Sequence, residues 1–251
     1  MAKGEVVDET GRRLNSTSVY RVGACIFYYR ELLDEKPLPF RERVIYQDEH
    51  ILVADKPHFL PVVPSGRFLH ETLLVRLRKQ TNLTDLVPIH RLDRQTAGVL
   101  LFSLNPKTRG HYTALFRERK VQKVYHALAA ASDKCQGLRF PLTRRSRIVR
   151  GEPFFRMSEA NGEPNSETYI EQLNHDPISL YQLVPTTGRK HQLRVHLSAL
   201  GIAILNDRLY PTRSFTEVDD FSRPLKLLAR SIFFRDPLSG KEHYFETGLR
   251  L

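Results

Sequence analysis

The chain has 251 residues, 41% of them hydrophobic and 27% charged, with a formal net charge of +11. That length can bury a sizeable core and suits one large domain or a domain with an arm; the composition excludes a disordered chain, and no apolar run reaches membrane-spanning length. The excess of Lys and Arg points to a polyanionic partner, nucleic acid first among them.

The polar opening MAKGEVVDETGRRLN lacks an apolar h-region, so no signal peptide is expected and the cytoplasm is the expected location. Cys25 and Cys135 belong to no CxxC pair or zinc spacing and read as reduced thiols. Residues 1 to about 18 read as a frayed polar arm, and Val19 to Leu33 as a strand running into a short helix. Two prolines in Asp34 to Phe40 mark a linker. The expected division is therefore an arm and linker over 1–40 and a main domain over 41–251.

In RVIYQDEHILVADKP, two strands flank a turn at Asp48 to His50, and Pro57 ends the second. Leu69, Leu73, Leu74 and Leu77 predict a helix over Leu69 to Gln80. The continuous apolar run Gly98 to Leu104 reads as a buried strand. NPKTRGHYTALFRERK follows as a helix, with Asn105 as cap and Pro106 at its first position. VQKVYHALAAA alternates like a strand; ETYIEQL and SLYQLVP are two more, joined by the turn-rich NHDPI. GRKHQLRVHLSALG carries Leu193, Leu197 and Leu200 at helical spacing, capped by Gly201. Strands near Leu225 to Phe234 and Glu242 to Thr247 close the chain around the turn RDPLSGK. The order predicts an α+β fold with a mixed, mostly antiparallel central sheet flanked by helices and loops. The acid-free run Lys134 to Gly151, with Phe140, Leu142 and Ile148 interleaved, reads either as a solvated face or as a folded loop facing RNA.

No Walker loop, GxGxxG, HExxH or GxSxG pattern is present. IHRLDRQTAGVLLFSLN is the unusual stretch, because Asp93 stands between Arg91 and Arg94 just before a buried strand. One reading is a turn carboxylate neutralised by its two neighbours. The other is a carboxylate partly removed from water, kept ionised by a guanidinium and thus a nucleophile or base, aimed outward by a turn at Gly98. His90 and Asp93 are too few for a metal site, and the arginines repel a cation. TTG at Thr186 to Gly188 leads into a helix start suited to a phosphate, with Arg189 and Lys190 adding charge. Arg194 sits beside an apolar stripe, where it needs an anion that Asp93 could supply. Tyr125 in KVYHA is either a core aromatic or a platform for a base.

HRLDRQTAGVLLFS, VQKVYHALA, TGRKHQLRVHLSALGIAILND and LKLLARSIFF, in that order, resemble the motifs of the RluA-type pseudouridine synthase family. The likeness runs from about Val44 to Glu246. Departures are Ala97 for serine, Lys190 for a small hydroxyl residue, Leu228 for histidine, and IAILND without the usual proline and glycine. The resemblance implies the pseudouridine synthase fold with a central active-site cleft in the main domain. It implies isomerisation of a specific uridine in structured rRNA or tRNA, looped or single-stranded at the target, with no cofactor and no metal. It maps the catalytic aspartate onto Asp93, the tyrosine that stacks on uracil and assists proton removal at C5 onto Tyr125, and the arginine that pairs with the aspartate onto Arg194. His90, Arg91, Arg94, Thr96, Lys123, Arg189, Lys190, Gln192 and Leu227 are the expected substrate-binding set. Attack on the sugar, attack on the base and removal of a sugar proton all stay open for Asp93. A monomer is the default. The rivals are a non-catalytic RNA-binding protein on the same fold, which would not need Asp93, Tyr125 and Arg194 together, and a metal-dependent nuclease, which would need an acidic cluster.

Overall fold

The computed structural model describes residues 6–28, 35–130, 135, 137–214 and 219–251. Two units separate, Met1–Lys36 and Pro37–Leu251. In the smaller, the expected arm forms a hairpin: β1 (Val6–Asp8) pairs antiparallel with β2 (Ile26–Tyr28). The helix expected toward Leu33 falls on residues 29–34, outside the described residues.

The larger unit is built on one sheet. Its strands are β3 (Arg43–Gln47), β4 (Ile51–Lys56), β5 (Val87–Pro88), β6 (Ala97–Ser103), β7 (Val121–Ala130), β8 (Leu142–Arg150), β9 (Met157–Ala160), β10 (Ser166–Gln172), β11 (Ile178–Pro185), β12 (Leu227–Arg235) and β13 (Glu242–Glu246). They run in the order β3-β4-β6-β12-β7-β11-β10-β8-β9, with β5 paired to β6 and β13 to β12. Every pairing is antiparallel except β12 with β6.

Among the described residues three helices accompany it: α1 (Leu73–Thr81), α2 (Arg109–Arg117) and α3 (Gln192–Ala199). α1 begins later than the leucine spacing predicts, because Thr72 is its N-cap and accepts the Val75 N–H through its hydroxyl. α2 also starts late. Asn105 instead closes a turn, its carbonyl accepting the Arg109 N–H and its side chain the Lys107 N–H.

β4 and β6 are buried along their whole length. Leu52, Ala54, Leu100 and Phe102 pack with α1 on one face. Ile51, Val53, Val99 and Leu101 pack with Tyr112 and Leu115 of α2 on the other. A continuous apolar run is the signature of a strand covered on both sides. In the other half, β10 and β11 alternate between buried and more exposed residues, and Ile170, Tyr181 and Leu183 pack with Leu193 and Leu197 of α3.

Two expectations are corrected. The basic run that reads as a loop contains strand β8, two of whose arginines find acids on neighbouring strands: Arg144 pairs with Glu159 on β9 and Arg145 with Glu167 on β10, while Arg147 and Arg150 stay exposed (Lys134 lies outside the described residues). Gly98 is not at a turn but inside β6, at φ +114. A Cβ there would collide with the Ala229 carbonyl oxygen, so the glycine permits the close approach of β6 and β12.

Candidate active site

Asp93 lies in the connection between β5 and β6. A turn returns the chain there, with the Thr96 N–H donating to the Asp93 carbonyl at 3.0 Å. Below it, Lys56 at the end of β4 is fully buried and gives its ammonium protons to the carbonyls of Pro57, Leu60 and Arg94 at 2.8 to 3.0 Å. Burial lowers its pKa to about 7, and the nearby Asp93 charge opposes that fall. His90 is also part of the frame. Its Nε2 accepts the Leu101 N–H at 3.1 Å and its ring stacks on Phe116 at 4.7 Å, while burial lowers its pKa to about 3 and keeps it neutral.

Among the described residues neither arginine beside Asp93 in sequence forms an ion pair with it. Arg94 is held by both oxygens of Asp219, at 2.8 and 2.6 Å, and lies over the Phe68 ring; Arg91 is exposed. Successive side chains around a turn diverge, so chain adjacency does not pair them with the carboxylate. The partner comes from α3. Arg194 Nη1 donates to Asp93 Oδ2 at 3.1 Å. The apolar face of α3 packs on β11 and draws Arg194 down with it, to 3% exposure. A guanidinium so buried needs a full complement of anion, and Asp207 provides it, accepting from Nε and Nη2 at 2.7 Å each. Burial works against the Arg194 charge, but the two carboxylates outweigh it and raise its pKa. Burial likewise pushes the Asp93 carboxyl up, and the charge and hydrogen bond of Arg194, with the Lys56 charge behind them, bring it below the usual range. Asp93 is therefore ionised at neutral pH.

Asp93, Arg194 and Tyr125 line one cleft of about 670 Å³. Tyr125 projects from β7, paired with Leu183 of β11 and Ala229 of β12. Burial and the Asp93 charge push its phenol up, so it stays protonated. Leu227 and Thr96 are buried in the same lining, and Arg91, Lys123 and Arg189 border it. Burial lowers the Lys123 pKa, and its Nζ reaches the Thr187 carbonyl at 3.5 Å. Among the described residues, Asp93 is the single carboxylate of this lining. On its other side a second trough opens, bordered by Arg67, Arg94, Lys190, Arg208 and Arg213.

Gln192 also borders the cleft, but its amide is used internally. It accepts from the Thr187 hydroxyl and the Arg189 N–H, and donates to the Glu167 carbonyl and Thr168 Oγ1. It thereby braces the TTGR turn against β10 and occupies the Arg189 amide that a phosphate at this helix start would use. Lys190 is exposed. Lys56, His191, Asp207, Tyr210 and Asp219 are site residues the sequence reading did not single out. For Asp207 a signal was present: it ends the ILND stretch that follows the helix bearing Arg194.

The description RNA pseudouridylate synthase matches residues 50–199 of the chain. Ribosomal large subunit pseudouridine synthase C of Vibrio cholerae is 35% identical over 179 residues, covering 68% of this chain and 54% of that protein. The mitochondrial tRNA pseudouridine(32) synthase of Saccharomyces cerevisiae is 33% identical over 187 residues, covering 70% and 38%. The chain thus spans about half the length of the first of these relatives and less of the second. Among solved structures, Human RNA Pseudouridylate Synthase Domain Containing 1 superposes with a TM-score of 0.67 at 28% identity, covering 85% of each chain. With its long motifs in order, a mostly antiparallel sheet and a lone carboxylate held by an arginine in its cleft, the chain belongs to the RNA pseudouridylate synthase family.

Proposed function

We propose that this chain isomerises uridine to pseudouridine within RNA, with Asp93 as the reacting carboxylate. The observation that carries the reading is the grip on Asp93. Arg194 holds Oδ2, and none of the hydrogen bonds among the described residues uses Oδ1. One oxygen of an ionised, poorly hydrated carboxylate is thus left for a substrate. In the reaction the N1–C1′ bond breaks, the uracil turns, C5 bonds C1′, the C5 proton leaves and N1 gains a proton. Atoms balance without a co-reactant. A single carboxylate suits this better than hydrolysis, which uses a second one to activate water.

The Tyr125 ring stacks on the target uracil, and Leu227 supplies an apolar wall that keeps water from the detached base. A uridine reaches such a pocket only after leaving its stack, so a looped or single-stranded target fits best. The arginines of both troughs contact phosphates on either side of it. Relatives named for large-subunit rRNA and for tRNA make those two the RNA classes to test. Pseudouridine mapping in RNA from cells with and without the protein identifies the site. Restoring the wild-type gene returns the modification and Asp93→Asn does not; a site modified equally by both ends the reading.

A further inference from the structure

α3 begins on a strained residue. His191 is its N-cap and adopts the left-handed conformation, φ 57, without capping the helix through its side chain. A non-glycine residue there costs energy that the surroundings must justify. What the conformation achieves is placement. The imidazole is 8% exposed, with Nδ1 2.9 Å from the Tyr210 hydroxyl and Nε2 3.9 Å from Asp93 Oδ2.

The proton positions follow from donor and acceptor counting. The Met157 N–H, at the start of β9, donates to the Tyr210 oxygen at 2.8 Å. Burial raises the Tyr210 pKa, so the phenol keeps its proton, and that proton needs an acceptor. Among the described residues His191 Nδ1 is the acceptor in range. The opposite tautomer would bury the phenolic proton without one. Burial holds His191 neutral, at a pKa of about 4. The sequence of donors is then Met157 N–H to Tyr210, Tyr210 O–H to Nδ1, and Nε2–H toward Asp93.

We propose that His191 is a positioning residue for Asp93: the Tyr210 hydroxyl fixes the imidazole as its Nε2–H tautomer, and that N–H closes on Oδ2 when substrate enters, so that Arg194 and His191 both hold Oδ2 and Oδ1 faces the substrate. The inference rests on the proposed role of Asp93. The 3.9 Å gap is longer than a hydrogen bond; a small rotation of the Asp93 carboxylate, which is 27% exposed, closes it. His191 is neutral, so it orients Asp93 without adding a charge to the cleft.

The test uses the full chain with His191→Asn and Tyr210→Phe. Asparagine tolerates the left-handed conformation and keeps an acceptor toward Tyr210 but cannot reach Asp93. His191→Asn should slow single-turnover pseudouridine formation about tenfold to a hundredfold, the span of one hydrogen bond to a charged group, with RNA affinity and melting temperature close to wild type. Tyr210→Phe should slow it less, by about threefold to tenfold. Independently of activity, nitrogen-15 NMR of the free protein should show His191 as the Nε2–H tautomer, and His191→Asn should move the Asp93 carboxyl carbon resonance. A Nδ1–H tautomer, or a wild-type rate in His191→Asn, overturns the inference. If the wild-type chain makes no pseudouridine, the functional reading fails, and the two NMR results alone decide the role of His191.

Discussion

Two arginine–aspartate pairs of nearly identical geometry lie on either side of the turn that carries Asp93. Arg194 is gripped by Asp207 at 2.7 Å twice, and Arg94 by Asp219 at 2.8 and 2.6 Å. They differ in water. The first pair is 4% and 1% exposed, the second 27% and 11%. They also differ in what is left over. Arg194 spends its remaining reach on Asp93, whereas Asp219 also draws Arg67 and Arg208 into a cationic rim. In the dry floor the guanidinium is a fixed charge that keeps a second carboxylate ionised. At the rim, where the pair keeps more contact with water, the same chemistry shapes a basic surface and contributes less energy than at the floor.

The sharpest way to break this contrast is at the floor. Asp93→Asn keeps the shape but removes the charge; product formation should fall on the order of a thousandfold or more, with RNA retention on filters nearly unchanged. Next comes Asp207→Asn, which strands most of a buried guanidinium charge. Chemical denaturation should show a loss of about 3–5 kcal/mol, and activity should fall with it because Arg194 no longer holds its place.

Lys56→Met tests the layer beneath. It leaves three carbonyls without their donor and should cost at least about 1–3 kcal/mol in the same assay, the penalty for a single buried group left unsatisfied. At the rim, Asp219→Asn should change stability by at most about 1 kcal/mol. The smallest effect is expected from Arg213→Ala, which should weaken RNA binding across sequences and reduce the slope of log affinity against log salt by about 1. A large stability loss from Asp219→Asn, or none from Asp207→Asn, would erase the distinction between floor and rim.

His191 belongs to the floor by the same criterion. It is buried and neutral, and it faces Asp93 through a nitrogen whose proton is set by Tyr210.

Local patterns carried much of the fold. The unbroken apolar run of β6, the alternation in β7 and the leucines of α3 each declare their element, because helix and strand periods are written in a few consecutive residues. β8 was missed because its arginines look like a solvated run until Glu159 and Glu167 are brought alongside. β5 and β9, of two and four residues, are too short to show a period. The HRLD turn, Tyr125 and Arg194 stand out as a set only through their resemblance to the family motifs; composition and spacing alone leave Asp93 open between a neutralised turn acid and a reacting carboxylate.

By itself, then, the sequence determined most of the succession of elements, the basic character of the chain and the residues that match the family's motifs, all of which are local or summed properties. The tertiary structure decided which charge meets which. It sent Arg94 to Asp219 rather than to its neighbour Asp93, gave Arg194 two carboxylates, buried Lys56 among carbonyls and set His191 against Tyr210. Those choices depend on which groups lose their water together, and desolvation is a property of the packed molecule that no short stretch of chain contains.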